Sequence, residues 1–248
     1  MEPLITIMFK LQLYYLMNRT AMWFLSIALL VVAVAFLYSS RFYETTALLD
    51  AFRSQYQSEY LYESVGITKF VMVTVSLFLN LHCFLGVNGK YAAFFVSKHS
   101  DRLRFIISKM AMISLITTIM CLATWCIFNL IGIYLTPYHT LKLSDAVLYG
   151  YITIEAISLG LIEALLMQLF DSLFSGIIPM IGFWGMELFA SDEVLSDNKI
   201  ITVVYQVLPH IINKNGELIV KGTWICYMLF LVTLLMINIF VFQIRDIK

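Results

Sequence analysis

Two glutamates stand where carboxylates are costly. Glu155 and Glu163 fall inside an apolar run from 146 to 170. Eight residues apart, they lie about 80° from one another around a helix, on one broad face with Ser158 nearby. Such a pair can do acid–base chemistry, line a polar path for cargo, or pack between helices as hydrogen-bonded groups. In each case a carboxylate in hydrocarbon must face a protein interior or a wet cavity. A second apolar run carries Asn80 and His82, and an imidazole there either carries a proton or is hydrogen-bonded within a bundle. An acid–base or metal site needs further clustered His or Asp, which the sequence does not supply. The P-loop pattern, HExxH and GxSxG are absent, so the chain does not bind ATP by the P-loop device. Cys83, Cys121, Cys126 and Cys226 all sit in apolar runs without paired spacing. They read as small buried apolar side chains, neither a disulfide framework nor a metal site.

The surroundings of these residues decide the class. The chain has 248 residues, 61% hydrophobic and 13% charged, with mean hydropathy +0.87. Soluble domains are about 45–50% apolar and about 25% charged. So little charge cannot cover a water-facing surface, and the composition predicts an all-α integral membrane protein. The net charge is zero, so no nucleic-acid partner is implied, and local basic clusters read as topology signals.

Residues 1–20 place Leu4, Met8, Leu11 and Tyr15 on one helix face, opposite Thr6 and Lys10. This suits an interfacial helix, or an extension of the first span. No cleavable signal pattern is evident. Six transmembrane spans are expected at about 21–38, 67–87, 106–134, 146–170, 173–189 and 222–242. Residues 39–66 read as a mixed-charge, partly helical loop. The third span is long for one crossing, so its first turns should stand outside the core. Gly176, Pro179, Gly182 and Gly185 interrupt the fifth, permitting a broken helix or close helix approach. Glu187 reads as an interfacial residue at the end of that span, and Asp192, Glu193 and Asp197 as a solvated patch. The apolar stretch Ile200–Ile212 is 13 residues, too short to cross, so a re-entrant or interfacial hairpin is expected between spans five and six. The whole chain, 1–248, reads as a single membrane domain without internal repeats.

The 88–109 segment is the densest basic loop, with Lys90, Lys98, Arg102, Arg104 and Lys109. With the N-terminus inside, nine Lys and Arg fall on the cytosolic side and seven, Lys69 among them, outside. The short basic loop decides the orientation, so both termini are expected in the cytoplasm.

An N-terminal helix with a lysine, two spans, the loop FFVSKHSDRLRFIISKM, four further spans and the tail FQIRDIK together resemble the ABC-2-type (type V exporter-like) ABC transporter permeases. Ser97, Ser100, Arg102, Arg104, Ser108 and Lys109 occupy the family's cytosolic phrase, and Arg245-Asp246 resembles its final turn. His99-Ser100-Asp101 stands where family members commonly carry a proline. The resemblance implies a permease in the bacterial plasma membrane, working with a second copy or a sister permease and a separate ABC ATP-binding subunit. ATP and Mg belong to that partner, and this chain is not itself an enzyme and binds no cofactor. Phe94, Phe95, Val96, Lys98, Arg102 and Arg104 are then expected at the motor-docking loop, with Asp171 and Ser172 in a second contact. Glu155, Ser158 and Glu163 are the candidate polar residues of the cargo path. The cargo implied is amphipathic or hydrophobic, in small family members a peptide toxin or antimicrobial peptide for export or self-immunity. Drug or lipid export is the alternative, followed by an intramembrane enzyme using Glu155, Glu163 and His82, or a membrane scaffold.

Overall fold

The computed structural model describes residues 10, 12–14, 16–46, 53–84, 99–135, 139–189, 210–212 and 224–244. These form six helices: α1 (Arg19–Thr46), α2 (Arg53–Phe84), α3 (His99–Leu135), α4 (Leu143–Phe170), α5 (Leu173–Phe189) and α6 (Trp224–Ile244). By length and composition, α1, α2, α3, α4 and α6 are long and apolar enough to cross a membrane. The apolar helix α5 has 17 residues and is shorter than the other five. Trp23, Ile27, Leu30, Val31 and Val34 on α1 and Leu229, Val232, Met236 and Phe240 on α6 are exposed. Apolar walls of that extent suit a hydrocarbon surround rather than water.

Local sequence sets the helix ends. Asn18 Oδ1 accepts the Ala21 N–H at 2.9 Å, satisfying one of the orphan donors of the first turn of α1. The preceding stretch is therefore distinct from α1. Residues 1–9 of the expected interfacial helix lie outside the described residues, as does most of the 190–221 segment. At the other boundary, Asp171 takes a left-handed conformation (φ 50°) and its N–H returns to Met167 O at 2.9 Å. This closes α4 and leaves a two-residue turn into α5. Gly176 makes that hairpin tight, since a Cβ there would meet the Met167 side chain.

The helices run past the expected spans, most of all at 39–66. That region is helical except at 47–52, which lie outside the described residues. The charged residues hide a buried face. Tyr56, Tyr60 and Ser64 recur every four residues and are all buried. Ser40 Oγ and Tyr56 Oη lie 2.8 Å apart, Tyr60 donates to Phe128 O at 3.2 Å, and Tyr149 donates to Ser64 Oγ at 3.2 Å. Phe36, Tyr60 and Phe128 fill the space between these contacts, with Tyr60 and Phe128 stacked at 4.7 Å. This aromatic cluster closes the far end of the bundle, opposite the end where α2 stops at Phe84 and α3 begins.

The central packing is α2 against α4. Partner pairs advance together along both chains: Lys69 with Glu155, Ser76 with Ala156 and Glu163, Asn80 with Gly160 and Glu163. The two helices therefore run parallel, with α3 connecting them. Gly160 sets how closely they approach. A Cβ there would lie 2.4 Å from Ser76 Oγ and 3.1 Å from Asn80 Nδ2, whereas one at Gly150 meets nothing within 4 Å. Gly160→Ala should lower stability by about 1–3 kcal/mol through overpacking. Gly150→Ala should be neutral or gain up to about 1 kcal/mol of helix propensity. Melting curves of the two variants in detergent micelles check this, and equal behaviour would refute the close approach at Gly160.

Candidate functional site

Lys69, Ser76 and Asn80 are spaced by seven and four residues, which keeps them within about 40° on α2. They form a polar seam facing Glu155 and Glu163 on α4. Lys69 and Glu155 are each 1% exposed at their side chains, so the seam is an interior structure.

At its first end Lys69 Nζ is a hub. It lies 3.1 Å from both Glu187 oxygens on α5, 2.8 Å from Ile212 O and 3.4 Å from Glu155 Oε2, and 5.6 Å from the Phe183 ring centroid. Glu155 Oε1 accepts the backbone N–H groups of Ile211 and Ile212. Two consecutive amides aimed at one oxygen make a small anion-binding concavity. His210 Nδ1 lies 3.0 Å from Glu187 Oε2, its ring stacks on Phe183 at 4.0 Å, and its carbonyl accepts from Tyr227 Oη at 2.9 Å. Burial holds the His210 imidazole below its ordinary range, against the opposing pull of Glu187. One ammonium, two carboxylates, an imidazole and two amides thus join α2, α4, α5 and α6 to residues 210–212.

Further along the seam, Glu163 is fully buried. Its Oε2 accepts from Asn80 Nδ2 at 3.0 Å and from Ser76 Oγ at 3.3 Å. Asn80 Nδ2 also reaches Gly160 O at 3.0 Å. Next to this site, Asn238 on α6 donates to Leu161 O at 3.0 Å and accepts from Gln168 at 2.8 Å.

The sequence-predicted residues distribute unevenly. Glu155 and Glu163 both face α2, but through separate partner sets. Ser158, which shares their helix, bonds back to Ile154 O at 2.8 Å and stands apart from the seam. His82 pairs with Asn18 at 3.1 Å. Glu187 departs from the expected interfacial position: Lys69 and His210 draw it into the buried ion cluster. Lys69, counted above among the basic residues of the outer side, is mid-helix and buried, as is Lys109. Both reach acceptors that offset the cost of burying the ammonium. Arg102 and Arg104 occupy the first turns of α3, where Arg102 Nη1 donates to Gln243 O at 3.1 Å and Arg104 is exposed. Asp171 and Ser172 form the α4–α5 turn at the same end of the bundle. Phe94, Phe95, Val96 and Lys98 lie outside the described residues.

Sequence reasoning missed Lys69 and His210 as site residues. The signal for Lys69 was its helical register with Ser76 and Asn80. Among the described residues no group of three or more His, Cys, Asp or Glu side chains is placed to hold a metal ion. No protein-family model matches the chain, and comparison with curated proteins gives no match.

The arrangement can do one thing clearly: charge on α2 and α4 fixes the backbone of Ile211 and Ile212, while Glu187 on α5 holds the His210 ring. Charge-assisted hydrogen bonds of this kind are worth about 1.5–3 kcal/mol. Glu155→Ala should therefore speed amide hydrogen exchange at Ile211 and Ile212 by about tenfold or more, read by mass spectrometry on the peptide that spans them. Unchanged protection would show that the carboxylate does not hold this backbone.

Proposed function

We propose that this chain is the membrane-spanning subunit of an ATP-driven exporter of the ABC-2 type. Five long apolar helices and the short helix α5 form its six spans, with residues 190–221 as an interfacial or re-entrant hairpin and both termini in the cytoplasm of a bacterial cell. A separate ATP-binding subunit docks on the 88–109 loop and on the Asp171–Ser172 turn, and a second permease copy or a sister permease completes the transporter. The cargo is amphipathic or hydrophobic, a small toxin or antimicrobial peptide before a drug or lipid.

One observation supports this reading: the basic end of α3 is tied to α2, to α6 and to the N-terminal stretch. Lys109 Nζ donates to Cys83 O at 2.6 Å, at the end of α2, between the rings of Phe84 and Phe105 at 4.7 and 4.9 Å. Arg102 bonds the last turn of α6. Gln12 Nε2 reaches Phe105 O at 3.0 Å from the N-terminal stretch. At 37 residues, α3 is about 55 Å long, well beyond a hydrocarbon core of about 30 Å. A partner pushing on the 85–98 segment thus moves α2, α3 and α6 together, which is what rigid-body coupling to a motor requires.

The test is co-purification with an ATPase encoded beside this chain. Charge reversal at Arg104 together with Lys98 should reduce the retained ATPase by about fivefold or more, as for charges at a docking surface, without lowering the amount of permease in the membrane. Arg102→Glu should act similarly and also loosen α6. Full retention of the ATPase in the Lys98/Arg104 variant would move the docking surface elsewhere, and failure to find any ATPase partner would remove the transport reading.

A further inference from the structure

We propose that Glu163, Asn80 and Ser76 form a binding site for one small monovalent cation, a sodium ion or a proton, within the α2–α4 interface. The inference does not rest on the transport reading. It starts from a charge without a counter-charge. Glu163 is completely buried in the midst of the seam. Its Oε2 has two neutral donors, but Oε1 has none among the described residues, and neither has Asn80 Oδ1. Two buried oxygens of adjoining groups therefore lack a positive partner. The same amide that leaves Oδ1 unpartnered hands its Nδ2 to Glu163, so the two groups lie against one another.

The buried lysines, the counter-charges that could reach such an interior, are committed elsewhere. On α2, Lys69 is held by Glu187, Ile212 O and Glu155, and His82 pairs with Asn18. On α3, Lys109 is held by Cys83 O. On α4, Glu155 belongs to the Lys69 cluster, and on α5 so does Glu187. Helix α6 has no charged side chain between 227 and 244, and presents the neutral Asn238. On α1, Arg19, Arg41 and Glu44 are confined to the ends of the helix. A bare carboxylate in such an interior is far costlier than one neutralised by a cation taken from solution.

The donor set selects the ion. Carboxylate, amide carbonyl and hydroxyl are all hard oxygen groups, which suit sodium or a proton rather than a soft transition metal. A single formal negative charge matches a monovalent rather than a divalent ion. A proton on Oε1 would supply the one donor the pocket lacks, and a sodium ion would gather both unpartnered oxygens. Either occupant fastens α2 to α4 midway between the Lys69 hub and the Lys109 anchor.

The experiment uses the full chain in lipid nanodiscs. Melting temperature is measured in sodium chloride against choline chloride at constant ionic strength, across pH 6 to 9, alongside the infrared carbonyl band of protonated carboxyl groups. If the occupant is sodium, melting rises saturably with sodium. If it is a proton, melting ignores sodium and falls as pH is raised, and a buried protonated-carboxyl band is present. In either case Glu163→Gln abolishes the response, while Glu44→Gln, at the end of α1 beside the exposed Arg41, keeps it. Ser76→Ala and Asn80→Ala retain the carboxylate and should shift the sodium or proton midpoint by about threefold or more, as expected from loss of a hydrogen-bonding partner. They keep the proposal testable if Glu163→Gln does not fold. The proposal is overturned if Glu163→Gln responds like the parent, if the Ser76 and Asn80 variants leave the midpoint in place, or if the parent shows neither a sodium response nor a protonated-carboxyl band.

Discussion

A buried ammonium organises this protein. Lys69 sits in the middle of an apolar helix, and in an interior of low polarity its charge must be answered at short range. Glu155, Glu187 and the carbonyl of Ile212 answer it, each from a different part of the chain. Meeting that one requirement brings α4 and α5 against α2 and returns residues 210–212 to the bundle. Replacing such a cluster with matched apolar groups can be neutral or even stabilising, whereas removing one member costs about 3–5 kcal/mol. Its contribution is thus to define a single arrangement of helices more than to add net stability.

The two ends of the bundle are built by different means. The far end relies on aromatic packing, with Phe36, Tyr60 and Phe128 in contact and Tyr hydroxyls satisfied by backbone and serine oxygens. The end where α2 stops and α3 begins is held by long cationic and amide side chains that reach backbone carbonyls: Lys109 to Cys83, Arg102 to Gln243 and Gln12 to Phe105.

Much of this was legible in the sequence. The apolar runs locate the helices, the fifth helix begins and ends where its flanking residues suggest, and the cost of charge in an apolar segment picks out Glu155 and Glu163. Helix period also placed both on one face. What stayed hidden was the identity of their partners. Lys69 lies near the start of the second apolar run, where position alone groups it with the outer basic residues, and only the shared register with Ser76 and Asn80 marks it as interior. Glu187 and His210 are brought to it by tertiary packing across more than a hundred residues of chain, a relation that periodicity does not encode. The buried face at 56, 60 and 64 was masked by the charges between its members. Ser158 differs from both: its hydroxyl bonds within its own helix, to Ile154 O.

The central claim is that Lys69 and Glu155 act as a coupled pair on which the α2–α4 interface depends. A double-mutant cycle in detergent micelles or nanodiscs tests it most directly, comparing the cost of Lys69→Met in the parent with its cost in Glu155→Gln. The account predicts that the second cost is smaller by about 1–3 kcal/mol, the coupling expected of contacting residues in one network. Costs equal to within about 0.5 kcal/mol, the additivity of independent sites, would contradict it.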